Sequence, residues 1–101
     1  MKNELIKLAE LAGVRLGNIG DTLFVASGRK IGDELWQPHK DISQALEVLQ
    51  GGGYGYQIHY TKTDKSHRVR IKRKHVYWGH SKILPEAICK AVLKAITEHG
   101  K

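Results

Sequence analysis

The sequence has no apolar run long enough to cross a membrane, and its single cysteine, Cys89, has no partner for an internal disulfide. A helix that spans a bilayer needs about 20 mostly apolar residues. The start of the chain also lacks the basic segment and apolar core of a secretory signal peptide. We therefore expect a soluble protein of the reducing cytoplasm with no membrane partner.

The chain also lacks the residue patterns that most enzyme and metal sites need. It shows no Ser-His-Asp order, no pair of catalytic carboxylates and no nucleotide-binding motif. Its six histidines include no closely spaced ligand pair. We therefore predict a protein without enzymatic activity, bound metal or cofactor.

Biased segments and internal repeats are absent as well, so no linker or duplication divides the chain. The 101 residues are 41% hydrophobic, which is typical of a globular domain. A chain of this length buries roughly two-thirds of its surface on folding. The sequence therefore predicts a single domain over residues 1–101.

Positive charge is abundant, and it is concentrated between Lys62 and Lys82. This stretch holds eight basic residues and one acid, Asp64, whereas acids and bases balance in the rest of the chain. The eight are Lys62, Lys65, Arg68, Arg70, Lys72, Arg73, Lys74 and Lys82. Concentrated charge in a segment patterned as strands indicates a surface that meets a polyanion. A solvated sheet face is the alternative interpretation.

Periodicity predicts the order of the elements. Helical spacing of apolar residues indicates helices over about 2–12, from Asp41 to the glycine run 51–53, and from Pro85 towards Gly100. Short β-prone or alternating runs indicate strands at 22–26, 54–61, 68–72 and around 76–78, with a turn at 62–66. The predicted fold is α+β: an antiparallel sheet of three to four strands packed with three helices, in the order α-β-α-β-β-β-α.

Several local features have both a structural and a functional interpretation. Asp41 and Gln44 are placed to form a capping box. The run 51–53 suggests a phosphate loop, but a helix leads into a strand there, so we expect a helix end instead. Core positions are expected for Cys89, Trp36 and Trp78.

The alternation of side chains along each strand predicts which candidate binding residues share one face of the sheet. If Val69 and Ile71 face the helices, the basic residues between and beside them share the opposite face. His59 from the preceding strand and Tyr77 from the following one are expected there too. Guanidinium groups beside an aromatic ring suit phosphate neutralisation and base stacking. The candidate residues for phosphate or nucleic acid are Arg68, Arg70, Lys72, Arg73, Lys74, Lys62, Lys65, His59 and Tyr77.

Two segments resemble the phage ABA-sandwich domain family. Residues 36–48 are similar to its aromatic-x-Pro-x-x-Asp entry into an amphipathic helix, and residues 85–95 to its Ala-Ile-Cys-basic-Ala helix. The resemblance implies phage or prophage origin and a helix-sheet-helix arrangement, without an established reaction. His39 and Lys40 stand where the family has small hydroxyl residues, so we expect Asp41 to cap the helix.

The basic segment and the resemblance together predict a non-enzymatic phage accessory protein with a counter-defence role in the host cytoplasm. Its partner would be nucleic acid, a nucleoprotein complex or an anionic nucleotide, bound through the basic β-hairpin. The alternative is a module that binds or inhibits a host protein through exposed aromatics such as Tyr54, Tyr56 and Tyr60, or a self-association edge that gives a homo-oligomer. Three layers would cover both faces of the sheet, so the sequence leaves open whether the basic face is exposed.

Overall fold

Three helices and six strands form the described part of the chain, which is residues 2–20, 22–27 and 30–99 of a computed structural model. The helices are α1 (Lys2–Ala12), α2 (Ile42–Gly52) and α3 (Leu84–His99). The strands are β1 (Leu16–Ile19), β2 (Thr22–Ser27), β3 (Lys30–Leu35), β4 (Gly55–Thr61), β5 (Ser66–Lys72) and β6 (Val76–Ser81). The predicted α+β class is confirmed, and the predicted elements occur in the predicted order, with two further strands beside β2. The helix stop predicted at Gly100 lies outside the described residues.

The first sheet adds two strands that periodicity does not predict. The expected strand is β2, and β1 and β3 pair antiparallel with it on either side. β1 reads Leu-Gly-Asn-Ile and β3 reads Lys-Ile-Gly-Asp-Glu-Leu, so both contain residues that are common in turns. They become strands because β2 offers each of them a row of backbone hydrogen-bonding groups.

The second sheet is the predicted hairpin with its third strand. Its order is β4-β5-β6, with both pairs antiparallel. Val69 and Ile71 of β5 are fully buried, as predicted. They lie opposite Ile58 and Tyr56 of β4, so the expected alternation of β4 is also confirmed.

Helix α3 covers one face of this sheet at very short range. A Cβ on Gly79 of β6 would overlap the carbonyl oxygen of Ala87 and would lie 2.7 Å from the backbone nitrogen of Ala91. Real Cβ atoms do not approach backbone this closely, so only glycine lets α3 lie on β6 as it does. The buried α3 residues Ala87, Ile88, Ala91 and Val92 complete this contact.

Both ends of α2 are capped. Asp41 is the N-cap, and its Oδ1 accepts a hydrogen bond from the Gln44 backbone N–H at 3.2 Å. Gly53 ends the helix with a left-handed φ of 69°, and its N–H donates to the Gln50 carbonyl at 3.1 Å. The glycine run therefore ends a helix, as predicted.

The second half of the expected capping box does not form, because the Gln44 side chain turns towards the segment that precedes α2. Its Oε1 accepts a hydrogen bond from the Gln37 N–H at 2.6 Å. Its Nε2 donates to the Leu35 carbonyl at 2.7 Å and to Glu34 Oε2 at 2.5 Å. A buried amide is stable here because both of its ends are hydrogen-bonded.

The helices continue the core away from the second sheet, since α2 packs on α3 and α1 packs on α2. Trp36 is buried as predicted, and its Nε1 donates to the Leu5 carbonyl of α1 at 2.7 Å. Cys89 is also buried as predicted, and burial raises the pKa of its thiol to about 12. No helix of the described chain is long and apolar enough to cross a membrane.

Candidate functional site

None of the three described helices packs on one face of the second sheet. Helix α3 packs on the face that contains Val69, Ile71 and Tyr77. Thr61 and Ser66 lie at one end of the opposite face. The other side chains there are Gln57, His59, Arg68, Arg70, Lys72, Val76, Trp78 and His80; we call these eight the basic face. All are exposed except Arg70, which is half-buried. The sheet is therefore covered on one side and open on its basic side.

The strand register arranges the basic face in rows across the three strands. Two adjacent rows, read from β4 to β6, contain His59, Arg68 and His80, and then Gln57, Arg70 and Trp78. Neighbouring strands lie about 4.8 Å apart, so the side chains of a row are within reach of one another. The Trp78 side chain is 45% exposed, and its ring centroid lies 6.1 Å from that of His59. The face thus combines two guanidinium groups with an accessible indole.

A hydrogen-bonded chain holds His80 at one end of its row. The buried Ser66 hydroxyl donates to Asp64 Oδ1 at 2.6 Å, and His80 Nε2 lies 2.8 Å from the same hydroxyl oxygen. Because the hydroxyl proton is used by Asp64, Nε2 carries a proton and donates to Ser66. The serine lies between the acid and the histidine, which differs from the order of a Ser-His-Asp triad. The hydrogen bond from Ser66 also holds the pKa of Asp64 below its ordinary value.

Two lysines of α3 lie at the β6 edge of the basic face, and Lys90 is also paired there with Glu86 Oε1 at 3.3 Å. Lys90 Nζ donates to the His80 carbonyl at 3.2 Å, and Lys94 Nζ donates to the Trp78 carbonyl at 2.8 Å. Lys94 also lines the depression beside Trp78 and Arg68. Sequence analysis missed both lysines, although their spacing of four residues on α3 places them on one helix face.

The predicted binding residues separate into three places. His59, Arg68, Arg70 and Lys72 come together on the basic face. Lys62 and Lys65 lie in the turn between β4 and β5, whereas Arg73 and Lys74 lie in the connection between β5 and β6. A strand of seven residues is about 20 Å long, so these two groups occupy opposite ends of the hairpin.

The prediction that Tyr77 shares the basic face is wrong. The register places Tyr77 opposite Ile71 on the face that α3 covers, and its side chain is buried. The core position predicted for Trp78 is wrong for the same reason, since alternate residues of β6 point to opposite faces. The inward positions of β6 are Tyr77, Gly79 and Ser81, which leaves the large Trp78 outside.

Tyr77 instead lines a groove at the connection between β5 and β6. This groove has a volume of about 530 Å³ and also contains Tyr54, Arg73, Lys74 and His75, with Leu11, Ala95 and Ile96. It gathers basic and aromatic side chains outside the basic face. Within residues 2–20, 22–27 and 30–99, no three His, Cys, Asp or Glu side chains are grouped to hold a metal ion.

These observations define a class: a small α+β protein whose second sheet is covered by a helix on one face and is open and basic on the other. The model of the Phage ABA sandwich domain family matches residues 14–93. The match covers most of the chain, so the protein belongs to this family, and the resemblance seen in the sequence is confirmed.

A crystal structure of a phage protein from Bacillus cereus has a similar fold, with a TM-score of 0.64. The two chains are 19% identical, and the alignment covers 91% of this chain and 87% of the other. At this identity the similarity shows the fold alone. The comparison with curated proteins gives no match.

Proposed function

We propose that this phage protein binds single-stranded nucleic acid on its basic face and does so without catalysing a reaction. The proposal rests on Trp78, an exposed indole on the basic face. Trp78 lies in the same row as Arg70, and Arg68 lies in the adjacent row. A base stacked on an aromatic side chain contributes about 1–3 kcal/mol. Guanidinium groups bind phosphate oxygens with two parallel hydrogen bonds.

The composition of the basic face supports a bound ligand over a merely solvated surface. Lysine and arginine suffice to keep a sheet face in water, whereas this face also exposes Trp78 and Val76. The eight residues of the basic face include no acid, and Asp64, which is held through Ser66 beside His80, lies at one end of it. A cationic surface with an aromatic platform matches the chemistry of proteins that bind single strands.

The shape of the face supports an extended strand over an enclosed nucleotide. The depression beside Trp78 has a volume of about 280 Å³ and is lined by Arg68, Gly79, His80 and Lys94. Pockets that enclose a small ligand are generally at least this large and cover most of its surface, while this depression lies on an open sheet. An anionic nucleotide, the second candidate, is better suited to the groove that contains Arg73 and Lys74.

A counter-defence role in the host cytoplasm extends the proposal. A protein that occupies a nucleic acid or a nucleoprotein complex blocks it by mass action and needs no catalytic group. Phage growth on a host that carries a nucleic-acid-dependent defence system tests this role. Expression of the wild-type protein should restore growth, and expression of the Trp78→Ala variant should not.

Tryptophan fluorescence tests the binding face directly, because the two indoles differ in exposure. Trp36 is 2% exposed and Trp78 is 45% exposed, so a short oligothymidylate on the basic face should quench Trp78 emission alone. The Trp78→Phe variant should lose the quenched component. In anisotropy titrations, Trp78→Ala should bind about 5- to 150-fold more weakly, which corresponds to the loss of one stacked base.

Ile83 provides a matched control, since it is an equally exposed apolar residue outside the basic face. Ile83→Ala should bind like the wild type. Unchanged affinity of Trp78→Ala would contradict binding on the basic face. If the double variant Arg73→Gln, Lys74→Gln alone lost affinity, the ligand would instead belong to the groove between β5 and β6.

A further inference from the structure

The second sheet protects its two edges differently. At the β6 edge, Lys90 and Lys94 donate hydrogen bonds to strand carbonyls. Lysines placed on a free edge in this way prevent a further strand from pairing. At the other edge, β4 pairs with β5 alone within the described chain. The β4 edge therefore presents a row of backbone groups that no other described strand pairs with.

Strand β4 also lacks the features that usually keep an edge from pairing. Its sequence, Gly-Tyr-Gln-Ile-His-Tyr-Thr, contains no proline and no Lys, Arg, Asp or Glu, and its pairing with β5 continues over seven residues without a bulge. On the helix side of the sheet, Tyr56, Ile58 and Tyr60 remain 44%, 40% and 54% exposed. The edge thus combines free backbone groups with an uncovered apolar strip.

The chemistry of β4 is symmetric about its centre. Residues 56–60 read Tyr-Gln-Ile-His-Tyr, with an aromatic ring at each end and a neutral hydrogen-bonding side chain on each side of Ile58. We propose that β4 pairs antiparallel with β4 of a second copy of this chain, across a two-fold axis at Ile58. A two-fold interface requires a surface that is complementary to itself, and residues 56–60 meet this requirement.

In the proposed register, every cross-strand pair within residues 56–60 is favourable. Ile58 lies opposite Ile58 of the second copy, and Tyr56 lies opposite Tyr60, so the apolar strip of one copy covers that of the other. On the other face, Gln57 lies opposite His59. Aromatic, β-branched and hydrogen-bonding pairs of this kind each stabilise a sheet. A foreign strand would not share this symmetry, so the second copy is the occupant that the sequence of β4 fits.

The net charge of +7 per chain does not prevent this pairing. The two β5 strands, which carry the arginines, would be three strand spacings apart, or about 14 Å. This exceeds the Debye length of about 8 Å at physiological ionic strength, so their repulsion is largely screened. The result is a six-stranded sheet with both basic faces on one side and both α3 helices on the other. The inference does not depend on what the basic face binds.

Disulfide crosslinking tests the register. The native Cys89 is buried, so in each cysteine variant of β4 the introduced cysteine provides the accessible thiol. Under oxidation, Ile58→Cys should form a covalent dimer by itself, because directly opposed residues have the Cα separation that a disulfide needs. Tyr56→Cys and Tyr60→Cys should each crosslink poorly alone and efficiently when the two variants are mixed. Efficient crosslinking of Ile83→Cys, or the same yield from every variant, would overturn the proposed register.

Sedimentation equilibrium of the full chain tests the dimer itself. The wild type should approach about twice its mass of 11.4 kDa as its concentration rises. Ile58→Lys places two like charges opposite each other and should weaken the dimer at least about tenfold, whereas Ile83→Lys should not. Circular dichroism confirms that both variants are folded. A wild-type chain that stays monomeric at every concentration would overturn the inference.

Discussion

Salt dependence gives a quantitative prediction for binding on the basic face. For single strands, the logarithm of the binding constant falls by about 0.7 per phosphate contact for each tenfold rise in salt. The strands of the basic face carry Arg68, Arg70 and Lys72. Lys90 and Lys94 are left out of the count because their Nζ groups already donate to strand carbonyls. Three contacts correspond to a slope of about −2, so raising salt from about 50 to about 200 mM should weaken binding about 20-fold.

If the nucleic acid also contacted the basic residues at both ends of the hairpin, the salt dependence of binding would be much steeper. Lys62 and Lys65 lie at one end of the hairpin, and Arg73 and Lys74 lie at the other. Seven phosphate contacts would give a slope of about −5 and a loss of about a thousandfold over the same salt range. We expect the smaller slope, because these four residues lie off the basic face at opposite ends of β5.

Anisotropy titrations of a labelled oligothymidylate at several salt concentrations measure the slope of the logarithm of the binding constant against the logarithm of salt concentration. Two variants then show which residues contribute to that slope. Arg68→Gln should reduce its magnitude by about 0.7. Lys65→Gln, the matched control in the hairpin turn, should leave it unchanged. A slope near −5 would refute binding confined to the basic face, and so would a slope that Arg68→Gln does not alter.

Three further predictions concern stability. In urea titrations, Gly79→Ala should lower the free energy of unfolding by about 3 kcal/mol, because the added Cβ would overlap the α3 backbone. Gly55→Ala is the control and should have little effect, since a Cβ has room there. Equal losses of stability in the two variants would contradict this packing. Gln44→Leu should cost about 2 kcal/mol by leaving the partly buried Gln37 N–H and Leu35 carbonyl without partners, and an unchanged thermal midpoint would contradict that role. Burial, followed by the charge of Lys40, holds the pKa of His39 below its ordinary 6.5, so the unfolded chain takes up this proton first as pH falls. The free energy of unfolding should therefore decrease as pH falls below about 6.5 and level off below the folded pKa of His39. The His39→Gln variant should not show this decrease. Parallel curves of thermal midpoint against pH for the wild type and the variant would contradict the prediction.

The helices and the hairpin follow from local patterns. The apolar spacing of α1, the Asp41 cap and the alternation of β4 and β5 are each contained within a few consecutive residues, and all three are confirmed. The family is also evident from two short segments. β1 and β3 could not be predicted in this way, since their residues favour turns and only pairing with β2 makes them strands.

The sequence by itself determined that positive charge is concentrated between Lys62 and Lys82, because charge depends only on composition along the chain. The tertiary structure alone decided which side chains accompany that charge. The connection between β5 and β6, together with the close approach of α3 to Gly79, sets the register that buries Tyr77 and exposes Trp78. Apolar character favours both residues for the core, and a shift of one residue exchanges the two faces of a strand. The face on which Trp78 lies therefore depends on distant contacts, which strand alternation alone does not encode.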